Sequence, residues 1–282
     1  MTLPVRSLAA TGSRRPVARA SAGLSLARAL AAGGVLASAA ALYGLSSSEA
    51  FELRSLEITG AGYTAESAVR STVRGAVGDS PNLFRVRSEE LAAELGELPP
   101  VLATEVRVAL PDRLLIRIIE RQPVLVWEAG SERFLVDAEG VLFAAAPAEP
   151  TETAEHSATD GLPLARDRRR NGADRSVGQR LDPLDLAVVR QLGAVTPASL
   201  GSSSTGLAIE VDDREGWTLD AQPRGWHAIF GFYVSRLRTA DLVPRQVQCL
   251  GALLAQEEIG IGTVFLTPSR DRCGTYEARP GS

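Results

Sequence analysis

The chain offers few residues from which a reaction centre could be built. It has two histidines, two cysteines and no lysine in 282 residues. His156 lies among small and polar residues, and His227 follows Trp226 in an apolar run. A Ser–His–Asp hydrolase would need His227 together with a nucleophile on a G-x-S-x-G elbow, and no such elbow occurs. Metal binding asks for clustered His, Cys or carboxylates. The acidic pair Asp212-Asp213 reads as a hairpin turn. The Gly201 to Gly206 segment, GSSSTG, lacks the Lys that a phosphate loop requires. Cys249 and Cys273 stand 24 positions apart. A disulfide between the last helix and the tail would suit an oxidising compartment. Two separate thiols fit as well, with Cys249 packed as a small hydrophobe. The expectation is no catalytic, cofactor-binding or metal-binding residue, and no cofactor.

Charge narrows the class further. The net charge is −4, with 45% apolar and 23% charged residues. A general nucleic-acid binder needs an excess of cations and is excluded. All 30 basic residues are Arg; a coding bias explains this more simply than an Arg-specific phosphate chemistry. The two ends differ sharply. Arg6, Arg14, Arg15, Arg19 and Arg28 precede Glu49, the first carboxylate. Such asymmetry suggests that the ends face different environments.

Ala29 to Leu45 carries no charge and is followed by Ser46, Ser47, Ser48 and Glu49. At about 1.5 Å per residue these 17 residues span about 26 Å, which Ala22 to Ala27 can extend across a bilayer. A single transmembrane anchor is expected. A cleaved signal peptide and a buried Ala-rich helix are the alternatives. The basic residues place the N-terminus in the cytoplasm and the bulk outside. The expected organisation is therefore a basic tail over 1–28 and a membrane helix with a short linker over 29–48.

The stretch Phe51 to Pro123 shows the clearest patterning. FELRSLEI reads as a strand with one irregularity over Phe51 to Ile58. Thr64 is expected to cap a helix whose stripe is Val69, Val73 and Val77, ended by Gly78. Ser80-Pro81-Asn82 reads as a turn. Ser88 caps a second helix with Leu91, Leu95 and Leu98 on its buried side, ended by Pro99-Pro100. Val106, Val108 and Leu110 alternate with wet positions, as do Leu114, Ile116 and Ile118. The turn between them is Leu110-Pro111-Asp112-Arg113. Glu120-Arg121 is expected as a partly buried ion pair at a domain junction. The order is strand, helix, helix, strand, strand.

This order resembles a POTRA domain, and its phrases resemble the FtsQ/DivIB family of bacterial cell-division proteins. The carrying residues are Ile58-x-Gly60, Asn82-Leu83-Phe84, Leu98-Pro99-x-Val101, Val106-x-Val108-x-Leu110-Pro111-Asp112 and Ile116-x-Ile118-x-Glu120-Arg121-x-Pro123-Val124. The resemblance implies an α+β chain. It would comprise an N-terminal transmembrane helix, a POTRA domain (β-α-α-β-β) over 49–123 and a mixed β domain with packed helices over 124–270. The tail would be 271–282.

The second domain begins with VLVW, Val124 to Trp127. A hairpin follows, with Phe134 to Asp137 and Gly140 to Phe143 as its arms. Residues 144–181 hold few large apolar groups and four Arg within Arg166 to Arg170. They are expected as a loose, solvent-exposed insertion that touches the fold at Leu162-Pro163. Asp182-Pro183 starts a helix with Leu184, Val188 and Leu192 inward. Strands are expected at Leu207 to Val211, Gly216 to Leu219 and Gly225 to Gly231. Phe232, Val234, Leu237 and Leu242 suggest one helical segment, and Pro244 starts another with Val247, Leu250, Leu253 and Leu254. Thr263 to Thr267 is expected to be the last strand and an open sheet edge.

The resemblance implies a non-catalytic scaffold of the divisome at the division septum. It implies partners of the FtsB/DivIC and FtsL type. Strand addition at the open edge would recruit an extended partner segment. Val264, Phe265, Leu266 and Tyr276 are the candidate contacts. A secretion factor using POTRA to hold unfolded polypeptide is the alternative. Such proteins usually place POTRA ahead of a β-barrel, for which too little chain remains. A wall-acting enzyme is disfavoured by the missing acid/base constellation.

Overall fold

The architecture is that of a computed structural model, in which residues 26–46, 48–78, 82–147, 159, 161–223, 225–269 and 272–279 are described. Expectations for the basic tail up to residue 25, for Ser80-Pro81 and for His156 lie outside these residues. Helix α1 runs from Leu26 to Ser46. None of its 19-residue apolar stretch Leu26–Gly44 is buried in the protein. It is long and apolar enough to cross a membrane.

The POTRA unit contains β1 (Ser55–Thr59), α2 (Glu66–Val77), α3 (Ser88–Gly96), β2 (Val101–Ala109) and β3 (Arg113–Glu120). The sheet order is β1-β3-β2, with β1 parallel and β2 antiparallel to β3. The four-residue repeat of Val69 and Val73 meets Leu91 and Leu95 from α3 over Leu114, Ile116 and Ile118. Each such buried aliphatic side chain contributes about 1.5–3 kcal/mol. Phe51 departs from expectation. It belongs to a short 3-10 turn, Glu49–Phe51, and stacks edge-on against Phe84 at 4.8 Å. The ring finds a partner there that a strand position would not give it.

The remaining elements form one nine-stranded sheet. These are β4 (Leu125–Ala129), β5 (Glu132–Val136), β6 (Leu142–Ala145), β7 (Leu164–Asp167), β8 (Gly206–Asp212), β9 (Gly216–Gln222), β10 (His227–Gly231), β11 (Ile261–Leu266) and β12 (Gly274–Ala278). Their order is β12-β11-β10-β9-β8-β7-β4-β5-β6. Helices α4 (Pro183–Gly193) and α5 (Val243–Glu257) cover one face. Trp127, Trp217, Trp226, Val188, Leu192 and Leu250 lie in the core between them. Asp182 caps α4 as expected, accepting from Leu184 N at 2.8 Å.

Two expectations fail in this domain. Within the expected loose insertion, Leu164–Asp167 forms β7, an inner strand parallel to both β4 and β8, while residues 176–180 are exposed as expected. Its inward residues are Ala165 and Asp167, not large aliphatics, so no apolar alternation marks it. Asp167 is fully buried and pairs with Arg169, which also reaches Asp185 of α4 at 2.8 Å. Burial works against the Arg169 cation, but Asp167 and Asp185 outweigh it and hold its pKa above the usual value. Part of the supposed solvated Arg cluster is thus an internal ion group. In the second failure, Phe232 to Thr239 is not helical. Phe232, Val234 and Leu237 are exposed on a loop closed by Val234 and Arg238. The loop is held from inside by Tyr233, whose hydroxyl donates to Gln246 Oε1 at 2.6 Å.

Candidate functional site: an open sheet edge

The two outer strands of the large sheet end differently. At β6 the chain covers its own edge. Leu142 N donates to Gln179 O at 2.9 Å, and Gly178 N donates to Leu142 O at 2.8 Å. Val141 and Arg180 bridge just before it. At the far end, β12 pairs with β11 on one side, and among the described residues no strand pairs with its other side.

The expected edge is therefore displaced by one strand. Thr263 to Thr267 lies largely in β11, between β10 and β12, and is not the edge. The cause is β12 itself, formed from residues expected to be polar tail. Its side chains are almost all exposed, so it presents no buried alternation to read. Gly274 and the β-favouring Thr275-Tyr276 were the available signal. The sequence reading missed Thr275 and Glu277.

The four candidate contacts separate by exposure. Val264 and Leu266 are 0% and 6% exposed and form part of the core under α5. Phe265 and Tyr276 are 39% and 42% exposed and reachable. Tyr276 sits opposite Val264, and Thr275 opposite Phe265. Thr267 N donates to Cys273 O at 3.2 Å. Antiparallel alternation then turns the main-chain groups of Thr275 toward β11 and those of Tyr276 outward.

On the face away from the helices, the register makes one continuous row across the sheet. It runs Arg133, Glu128, Arg166, Glu210, Thr218, Ile229, Phe265, Thr275. Its far half is ionic: Glu128 meets Arg133 at 2.9 Å and Arg168 at 3.2 Å, and Arg166 meets Glu210 at 3.3 Å. The half next to β12 is apolar, through Ile229 and Phe265. A parallel row places His227 between charges. Its Nδ1 is 2.6 Å from Asp220 and its Nε2 is 3.0 Å from Glu215. The Asp220 hydrogen bond, with Glu215 adding to it, outweighs partial burial and pushes the imidazole pKa up to about 9. His227 is thus a cation at neutral pH, not a general base. No group of three or more His, Cys, Asp or Glu able to hold a metal occurs among the described residues. Asp212 serves its turn as expected, accepting from Arg214 N and Glu215 N.

A disulfide holds the edge strand. Cys249 of α5 and Cys273, the residue before β12, are bonded. Closing a loop with a separation of 24 residues removes unfolded-state entropy worth about 3 kcal/mol.

Residues 51–121 match the family described as POTRA domain, FtsQ-type. The match is to an FtsQ-type POTRA domain and covers those residues alone. Three relatives agree, each named "Cell division protein FtsQ". That of Chloroflexus aurantiacus is 30% identical over 165 residues, 57% of this chain and 54% of the relative. That of Chloroflexus aggregans is 28% identical over 182 residues, 64% of this chain and 61% of the relative. That of Koribacter versatilis is 34% identical over 89 residues, 32% of this chain and 25% of the relative. The chain spans little more than half the length of the first two.

The junction behind the FtsQ-type POTRA domain differs in detail from the expected ion pair. Glu120 and Arg121 do not pair with each other. Neighbours in an extended chain point opposite ways. Glu120 accepts from the main-chain N–H groups of Gly62, Tyr63 and Thr64 at the entry to α2. Its burial opposes ionisation, but these donors at Thr64, Tyr63 and Gly62 keep its pKa below the ordinary value. Arg121 turns to Asp137 at 2.5 Å and Glu139 at 3.5 Å in the second domain.

Proposed function

We propose that this chain is a non-catalytic, single-span scaffold of bacterial cell division. Helix α1 anchors it, its N-terminus lies in the cytoplasm and its folded domains lie outside the membrane. It gathers division proteins of the FtsB/DivIC and FtsL type at the septum, where septal peptidoglycan is made. The observation that carries this reading is the outer side of β12, unpaired among the described residues, in a sheet whose opposite edge is met at Leu142 by its own chain. A strand left bare while its counterpart is covered is suited to strand addition. The FtsQ-type POTRA domain, the printed names of the relatives and the arginine-bearing N-terminus support the setting.

In this mechanism a partner segment adds as a tenth strand. Main-chain groups at Tyr276 supply hydrogen bonds, while Phe265 and Ile229 offer an apolar shelf on the open face. Val264 and Leu266 hold β11 in place from the core. Specificity comes from which partner side chains extend the row beyond Thr275 and meet the Glu277 carboxylate.

The test is Tyr276→Pro in the full-length protein in membranes. Proline on an edge strand removes an outward donor and leaves the inner ladder in place. Capture of an FtsB-type partner should fall at least about tenfold, the loss of about 1.4 kcal/mol. Septal localisation of a fluorescent fusion should persist if α1 and the POTRA domain deliver the protein. Undiminished capture would overturn the edge assignment. Even peripheral distribution of the unaltered protein would overturn the division role.

A further inference from the structure

The open edge has an unusual support. In β12, no side chain belongs to the core, and Thr275, Tyr276, Glu277 and Ala278 are all exposed. Burial, which fixes every other strand of the sheet, contributes almost nothing here. Its attachments include one ladder of main-chain bonds to β11, bonds from Thr267 to the carbonyls of Arg272 and Cys273, a bond from Arg279 N to Gly260 O, and the disulfide. The disulfide joins unequal partners. Cys249 is buried in α5 among the core residues, whereas Cys273 is half-buried at the foot of β12. Helix α5 thus grips the strand just before its first residue.

We propose that the Cys249–Cys273 bond selects which strand forms the exposed edge, so that its reduction releases β12 and hands the edge to β11. The proposal rests on reading this end of the sheet as the docking site. In the oxidised protein the edge is the polar Gly274–Ala278 segment. In the reduced protein it is Ile261–Leu266, whose outward main-chain groups are then bare and whose side chains include Val264, Phe265 and Leu266. The two edges differ in chemistry, so they differ in which partner segment they accept. An apolar strand without a cover is also an adhesive surface.

The chemistry is a thiol–disulfide exchange with an external dithiol protein. A thiolate of that protein attacks Cys273 Sγ, the more reachable sulfur, and the Cys249 Sγ leaves and takes up a proton. The second thiol of the donor then attacks the mixed disulfide and releases Cys273 as a thiol. Two electrons pass to the chain, and the donor becomes a disulfide.

Hydrogen exchange on the full-length protein in lipid nanodiscs, with and without tris(2-carboxyethyl)phosphine as the reducing probe, tests this without any partner. Reduction should speed exchange of the 274–278 amides at least about tenfold, as expected for a locally opened segment. Residues 113–120 of the POTRA sheet should be unchanged. A Cys249→Ala/Cys273→Ala variant should show the fast exchange already in the absence of reductant and no further response to it. Equal protection of 274–278 in both states, or slow exchange in the double variant, would overturn the proposal. If oxidised protein captures no FtsB-type partner, the docking reading fails, while the exchange result still decides the tether.

Discussion

The two edges of the large sheet are built from similar short strands but are finished in opposite ways. At β6, residues 178–180 return to occupy the outer hydrogen-bonding groups. At β12 the last strand stops with its outer side unpaired among the described residues. An edge strand is a hazard that proteins cover when it has no use. The covering of one edge shows that this fold can close an edge. Leaving the other bare is then a difference that calls for a function. The core follows the same asymmetry. Leu142 and Phe143 in β6 are fully buried, whereas nothing in β12 is.

The strongest way to break the contrast is at the centre. Strand β7 joins the β4–β6 half to the β8–β12 half. Asp167→Ala leaves Arg169 facing Asp185 with half its partners gone, and breaking a buried ion group costs about 3–5 kcal/mol. Hydrogen exchange should then speed up at both edges together. Loss confined to the β6 side would mean that the two halves stand independently. A smaller effect is expected from uncovering β6. Gly178 has φ +94°, which a β-branched residue adopts only with strain. Gly178→Val should cost about 1–2 kcal/mol, seen as a thermal midpoint lowered by a few degrees. It should also speed exchange of the Leu142 N–H, whose acceptor lies in that segment, while leaving β12 untouched.

The smallest effect is on the β12 side and depends on pH. His227 has a folded pKa raised from 6.5 to about 9. Its contribution is therefore fully present below about pH 6.5 and is lost as pH rises through about 9. The ring is 30% exposed, so water screens part of the pairing. A loss of about 1–2 kcal/mol between pH 6.5 and 10 is expected. His227→Gln should flatten the profile of unfolding midpoint over that range. An unchanged slope would remove Asp220 and Glu215 as its partners.

Much of this was legible from residue spacing. The POTRA elements announced themselves because their buried residues are large aliphatics at helical or alternating positions, as in Val69 and Val73, or Leu114, Ile116 and Ile118. The α4 cap followed from Asp182-Pro183. What stayed hidden shares one physical cause: structure held by something other than apolar burial. Strand β7 is secured by Asp167, Arg169 and Asp185, and in sequence these look like a solvated charge run. Strand β12 is secured by main-chain bonds and a disulfide, and in sequence it looks like a tail. Phe232, Val234 and Leu237 mislead in the reverse sense, since helix-like spacing falls on side chains that face water. The outermost strand lies one beyond the expected edge. Tyr276 lies on the true edge, and Phe265 lies beside it.

The joint between the two domains carries a mechanical implication. Glu120 and Arg121 are consecutive, yet one is fastened to the entry of α2 and the other to the turn after β5. Four residues after Arg121 β4 begins, inside the large sheet. A pull at helix α1 would therefore pass through β1 and β3 into β4, third from the β6 edge of that sheet, with little slack to absorb it. Nine strands in lateral register would spread the load sideways toward β12.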